Sequence, residues 1–525
     1  MRMRWTNAEN FAAGVLDKLS ELASHRSALA RHRYLIDNPK IRQRAELYAA
    51  AKTTRMTGAW SIVSPNVNDI IGASSPAVRA RVRQLIRDFP YLSRATNVIV
   101  DFSIGQGIIF QSKAKTAAGK PDVKTAQKIE DAVNWWMDEA DASGSENKKL
   151  HFFEQMRLTK RQDLEAGEFV AVKTYPKDGN RYLPYALQIY EADWLSDAHD
   201  NYGAGGIGMS ASTGQKETRQ GVEYDKQTGR VTGYWFQDPY YGGKDVYVPE
   251  SQVLHGFDTL RPQQLRGISS YAPGVLLAQS LSDYMVSELD GAKMAAKYLA
   301  LVTRENPSAV QQAISSIAYN DDGSLKRLEE LENGIIEYLR PGERVDLVAS
   351  NRPGTTFTPF VRLLVTMLSI TTGAPYELLS GDYQGLNMAV SKIVRSDFSQ
   401  QLRPISIRHI RQFGMPGVKT AIDMAVLTGK LTLPGYWQNP RRYLESEWQP
   451  PGMDAVDPLR EAKSQIEAIS YGLKSPQEVA RQRGRDLEDV YDEIKAAREM
   501  AEEKRLVFEE ANKPLKNNPA AINKE

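Results

Sequence analysis

The chain has 525 residues, 41% of them apolar and 25% charged, which is ordinary globular composition and excludes a collagen-like, mucin-like or wholly disordered protein. It contains no cysteine, so a disulfide framework, a thiolate metal site and a cysteine nucleophile are excluded as well. The formal net charge of +2 conceals an asymmetry: residues 1–100 carry 16 Lys+Arg against 7 Asp+Glu, and the remainder 51 against 58.

The length corresponds to about two to four domains. The basic N-terminal fifth suits an acidic partner surface, nucleic acid or protein, and also a solvated helical face. The neutral-to-acidic bulk speaks against a protein that coats DNA along its whole surface. No stretch reaches the ~18 uncharged apolar residues of a membrane helix. The best candidate, 363–379, is interrupted by Thr366, Ser369, Thr371, Thr372, Gly373, Pro375 and Glu377. The start, Met-Arg-Met-Arg-Trp, has no secretory apolar run, so we expect a soluble protein made inside the cell.

Residues 1–60 are polar and basic, with Arg31, His32, Arg33, Arg42 and Arg44, and read as an arm with helical pieces. Ser75-Pro76 reads as a helix start, with Val78, Val82, Leu85 and Ile86 at helical spacing behind it. A second helix follows Pro90 and stops near Gly105-Gln106-Gly107; two more are expected over 124–140 and 150–165. From Gly167 to Phe257 the pattern turns to strands, at 168–175, 185–190, 231–237 and 245–248. A long helix is expected over 272–304, and a strand pair over 334–339 and 344–348. Helices are expected again over 357–379 and from Met388, with Pro404 kinking the latter. Asp457-Pro458, Ser475-Pro476 and Asp486 open three C-terminal helices; Gly472 and Gly484 close the first two.

Catalytic patterns are sparse. The pairs Gly119-Lys120, Gly243-Lys244 and Gly429-Lys430 are followed by Pro, Asp and Leu, so none forms an ATP phosphate loop. Gly203-Ala-Gly205-Gly-Ile-Gly208 matches a dinucleotide fingerprint but lacks a following helix pattern, and reads as a loop. The six histidines are scattered. Glu191, Asp193, Asp197, His199 and Asp200 bring carboxylates near one imidazole, either as a divalent-ion site or as the polar end of a strand and its loop. No cofactor and no enzyme activity are expected.

Five stretches in order give a sharper reading. They are RQLIRDFPYLSRATNVIVDFSIGQGI within 82–108; Gly167-Glu168-Phe169-Val170 leading to LQIYEADWLSD; Gly221-Val222-Glu223-Tyr224-Asp225 and then VLHGFDTLRPQQLRGISSYAPGVL; Pro341-Gly342-Glu343 and then ITTGAPYELLSGDYQGLN; and DPLREAKSQIEAISYGLKSPQEVARQRGRDLEDV. Together, over about 75–495, the chain resembles the portal proteins of tailed bacteriophages, lambda-type family. One departure concerns the run after Asp382. There the family usually carries Asn, small hydroxyl residues and Arg, whereas this chain has Asn387-Met388-Ala389-Val390-Ser391-Lys392. Lys keeps the charge without the planar fork of Arg.

The resemblance implies an α+β portal fold assembled as a ring, usually of twelve subunits, at one capsid vertex. Its parts would be a basic arm (1–60), a β-rich wing (61–271), a stem helix (272–306), a small mixed clip (307–356) and a second stem helix (357–379). A tunnel loop (380–387), a kinked tunnel helix with the rest of the wing (388–453), a helical crown (454–511) and a flexible tail (512–525) would follow. It implies that double-stranded DNA passes through during packaging and ejection. The implied partners are the terminase large subunit, a head-completion or adaptor protein, the major capsid protein and scaffold, with no membrane. The virion would be its final location, after assembly in the host bacterial cytoplasm. The tunnel candidates are Gly381, Asp382, Tyr383, Gln384, Gly385, Leu386, Asn387, Lys392 and Arg395; Lys293 and Lys297 are the stem candidates, and Tyr338 and Arg340 the clip docking candidates. The alternatives are another structural ring or scaffold component without a DNA conduit, or a metal-dependent nuclease using Asp193, Asp197 and Asp200.

Overall fold

The computed structural model describes residues 55, 65–143, 149–177, 179, 181–201, 216–240, 242–297, 300–304, 343–347, 354–450, 458–482 and 487–504. Met1–Asn66 and Val67–Glu525 are separate units, and the second is described below. The arm, the 203–208 loop, the 334–339 strand, the tail, Tyr338 and Arg340 lie outside the described residues.

Helix α1 (Val67–Asp88) begins earlier than Ser75-Pro76, which lies inside it. The reason is tertiary. Val67 and Ile71 are buried, and the Asn68 side chain donates to the Gln263 carbonyl and accepts from the Leu265 amide. The first turns are thus fixed by the body, and Ser75 Oγ accepts from Arg79 instead of capping. Helix α2 (Pro90–Ser103) starts at its proline as expected. Strand β1 (Ile109–Ser112) precedes α3 (Val123–Met137), which Asp122 caps by accepting from Thr125 N. Helix α4 (Phe152–Ala166) opens with a reciprocal His151–Glu154 cap and ends at Gly167 in the left-handed conformation.

The strand region forms two antiparallel sheets. Central β2 (Glu168–Thr174) lies beside β3 (Ala186–Tyr190). A meander follows, β4 (Lys216–Arg219), β5 (Val222–Asp225), β6 (Val231–Phe236) and β7 (Val246–Pro249), in chain order. Strand β8 (Val253–Phe257) then pairs with the free side of β2. The β4–β5 turn has both central residues at positive φ, Gln220 at 52° and Gly221 at 78°, as a tight hairpin requires.

Helix α5 (Val275–Lys297) ends earlier than the expected 304, because Ala300–Arg304 is strand β9. Its antiparallel partner is β10 (Glu343–Leu347), so the strand expected at 344–348 pairs with residues before the insertion. Helices α6 (Phe357–Thr372), α7 (Tyr376–Ser380) and α8 (Met388–His409) follow. Pro404 is inside α8; the change of helix type comes later, at a π-helical turn over Ile410–Gly414 that runs into α9 (Met415–Leu427). A short α10 (Arg441–Leu444) precedes β11 (Ser446–Gln449), which pairs antiparallel with β1. Three helices close the described chain: α11 (Pro458–Ser470), α12 (Pro476–Gln482) and α13 (Leu487–Glu503). No helix among the described residues is long and apolar enough to cross a membrane.

One core gathers α3, α4, β2 and α9 around an aromatic stack. Trp136 stacks on Tyr185 at 5.3 Å and donates its indole N–H to the Tyr185 carbonyl; Phe152 stacks on Phe413 at 5.4 Å. A second core packs α1, α2, α5, α6 and α8, and a third lies under the meander. At the junction of α4 and α8, His409 is buried, with Nε2 3.1 Å from both Thr159 Oγ1 and the Met156 carbonyl. Burial, reinforced by the Lys160 ammonium and only partly opposed by Asp163, lowers its pKa from 6.5 to about 3. The unfolded chain therefore takes up the proton first as pH falls. This contribution to stability is complete above 6.5 and is lost progressively down to about 3. Urea midpoints measured across that range should fall less steeply in His409→Leu than in the parent.

Candidate functional site

The 381–387 segment is a built turn between two helices. Gly381, at φ 71°, closes α7 by donating its amide to the Glu377 carbonyl at 2.9 Å. Asp382 accepts from the Gln384 amide at 3.0 Å, and its own amide donates to Ser380 Oγ at 3.1 Å. The Leu386 amide reaches back to the Tyr383 carbonyl, and Gly385 has φ 78°. A Cβ added at Gly381 or Gly385 would meet nothing within 4 Å, so both glycines serve the backbone and leave the surface open. Tyr383, Gln384 and Asn387 are exposed, while Asp382 and Leu386 are half-buried.

Asn387 is the N-cap of α8; its side chain accepts from the Val390 amide at 2.9 Å. That cap supports the helix start by about 1 kcal/mol and explains an asparagine at this position without any ligand. Half-buried Lys392 and exposed Arg395 follow at i, i+3 spacing on the same helix. Lys293 is exposed on α5 and pairs with exposed Asp290 at 3.1 Å. Lys297 ends α5, and its side chain lies outside the described ones.

Two buried ion clusters fix the body. Glu168 is fully buried at the start of β2. Arg266 grips it through Nε and Nη2 at 2.5–2.9 Å, the Gly267 amide donates at 2.9 Å, His255 Nε2 lies at 3.1 Å and Arg79 at 3.6 Å. Burial pushes the carboxyl up, but Arg266 and His255 hold it far below the usual range. Arg266 also donates to the carbonyls of Ala192 and Gln220, so one side chain ties β2 to the meander. In the second cluster, buried Asp163 accepts from Lys160 at 2.5 Å and from Arg408 at 2.8 Å, joining α4 to α8.

The Glu191–Asp200 group does not converge on one point. Asp193 pairs with Arg79 and Arg83, each at 2.8 Å. Asp200 accepts the Gln220 and Gly221 amides; burial, with Asp197 nearby, pushes it up to about 6 against those bonds. His199 stacks on Trp235 and pairs with Asp245 at 2.8 Å. Among the described residues no group of three or more His, Asp or Glu is arranged to hold a metal ion. These carboxylates anchor the strand end and its hairpin. The Glu168–Arg266–His255 contact escaped sequence reading; its signal is a charged residue opening the apolar run 168–172.

A family model described as "Phage portal protein, lambda family" matches residues 53–405. The chain belongs to that family. The portal resemblance and the mixed α+β class are thereby borne out, and as a portal protein the chain is a structural component of a phage or phage-like virion. It is 25% identical over 465 residues, 85% of each chain, to a probable portal protein of Halomonas phage phiHAP-1. Among solved structures, this portal protein is similar to the neck of an empty gene transfer agent (GTA) particle, with TM-score 0.40, 14% identity, and 82% of this chain and 97% of that one covered. It is also similar to an HK97 family phage portal protein from Corynebacterium diphtheriae, with TM-score 0.30, 11% identity, and 74% and 98% coverage.

Proposed function

We propose that copies of this portal protein close into a ring, a dodecamer in the family's usual form, that conducts double-stranded DNA into and out of the capsid. The observation that carries this reading is an apolar helix face that stays exposed among the described residues. Phe360, Leu363, Met367 and Ile370 are exposed along one side of α6, while Val365 and Leu368 on its other side are buried. Val286 and Leu289 add exposed apolar surface on α5, which packs on α6. Such a face needs cover. A head-to-tail contact with a second copy supplies it, and repeated rotation closes the ring.

In this reading α5 and α6 form the stem, 307–356 the clip and the C-terminal helices the crown. Residues 381–387 stand at the constriction, with Lys392 and Arg395 near passing phosphates and Lys293 and Lys297 along the stem. Terminase and a head-completion protein dock at the clip, around Tyr338 and Arg340, and the capsid protein and scaffold hold the rim. ATP hydrolysis belongs to the terminase, and this chain acts without a cofactor.

Light scattering and negative-stain imaging test the proposal. The full chain should form rings of about a dozen subunits whose axial hole admits a ~20 Å duplex. Leu363→Asp should raise the assembly midpoint by about a hundredfold, because it buries an unpaired carboxylate at every contact. A compact dimer without a hole, or assembly indifferent to Leu363→Asp, would overturn the reading.

A further inference from the structure

The end of α8 carries a cationic hollow. A cavity of ≈ 680 Å³ is lined there by Arg403, Pro404, Ile407, Arg408, Arg411 and Gln412, and no carboxylate belongs to its lining. The three arginines are not equivalent. Arg408 is neutralised twice, by Asp163 at 2.8 Å and Asp258 at 2.7 Å. Arg403 and Arg411 are exposed and form no ion pair or hydrogen bond with a described residue. They flank an apolar floor of Pro404 and Ile407, the latter 38% exposed. The π-helical turn shapes this wall. Within it Gln412 donates to the Phe257 carbonyl at 2.9 Å and so turns inward, while Arg411 stays out.

Two guanidinium groups with no counter-charge among the described residues, beside an apolar floor, are a costly arrangement for an isolated surface. They repel one another, and the floor remains wetted. A partner that brings a carboxylate and an apolar side chain together relieves both. Guanidinium forks bind carboxylates bidentately, and arginine with apolar neighbours is the usual make-up of an interface centre.

We infer that this hollow receives a carboxylate-bearing segment of the adjacent copy of the chain. Charge complementarity selects that occupant. Over the body, Val67–Glu525, the chain holds 60 Asp+Glu against 56 Lys+Arg, so a neighbouring copy brings a slightly acidic body to a locally cationic concavity. A duplex backbone fits less well, because its phosphates bring no apolar group to cover Ile407 and Pro404. The inference rests on the ring reading and adds a second, electrostatic contact to the apolar one on α6.

The absence of cysteine makes the test direct, since a single introduced thiol is unique. Full-length Arg403→Cys carrying a photo-crosslinker should form intermolecular crosslinks whose partner peptides contain Asp or Glu. In full-length Arg403→Glu/Arg411→Glu the assembly midpoint should rise about tenfold at 50 mM NaCl and much less at 500 mM, with an unchanged melting temperature of the subunit. Leu363→Asp, read in parallel, separates the two ideas. If it blocks assembly while the double charge reversal does not, the hollow is no subunit contact and the ring reading stands. If neither parent nor variant assembles at any concentration, both fall. Crosslinks confined to one chain, or loss of duplex-DNA binding with assembly unchanged, would also overturn the inference.

Discussion

Glu168→Ala is expected to lower the folding stability of the chain by about 3–5 kcal/mol. The carboxylate is fully buried, and its removal leaves Arg266, itself buried, without its counter-charge. The loss is larger than that of an exposed pair because neither Arg266 nor His255 can turn to water. Equilibrium urea unfolding measures it directly; a change below about 1 kcal/mol would mean that the cluster tolerates an empty centre. Glu168→Gln, which keeps the shape, should also be strongly destabilised. The sign of the pH effect follows from the lowered carboxyl. The folded form holds the anion, so its contribution is complete above the ordinary 4.5 and fades as pH falls below it. Stability of the Gln variant should depend less on acid in that range.

Gly167→Ala should be nearly as damaging, by roughly 3 kcal/mol or more, through two separate causes. Gly167 has φ 87°, where a side chain is strained, and a Cβ there would lie 2.0 Å from the carbonyl carbon of Ile268. Gly267 faces it across the same gap, its own Cβ position 2.0 Å from the Gly167 carbonyl oxygen. Gly119→Ala isolates the first cause, since φ is 77° but nothing lies within 4 Å. That variant should lose only about 1 kcal/mol. Melting temperatures of the two variants compared side by side check the difference; equal losses would show that backbone strain alone is at work.

These two residues also show what could be read from the sequence. Gly167-Glu168 and Leu265-Arg266-Gly267 stand in different stretches of the portal resemblance. The contact that binds them spans 98 residues and leaves no periodic trace. Elements governed by local rules were legible: Pro90 starts α2, Gly167 ends α4, and strands follow within 168–257. Elements decided by distant partners were not. Pro76 marks a helix start only if nothing holds the residues before it, yet Asn68 is held by the 263–265 segment. The 300–304 run continues a helical pattern, yet becomes a strand because 343–347 lies alongside. Around the candidate loop, the turn residues Gly381 and Gly385 were readable from composition. The capping role of Asn387 emerged only from its bond to Val390. The hollow beside Arg403 went unnoticed because an exposed arginine on a helix has no signature of its own.

The pairing of β1 with β11 bears on when the chain can fold during its synthesis. Ile109 meets Gln449 and Ser112 meets Ser446, and Phe110 packs edge-on to Trp448 at 5.2 Å. A ribosome adding ~5–20 residues per second needs roughly 20–70 seconds to pass from the first of these strands to the second. For most of that interval the aromatic core lacks Phe413, Tyr436 and Tyr443. A nascent chain therefore cannot close this pairing or fill this core until Gln449 has been made.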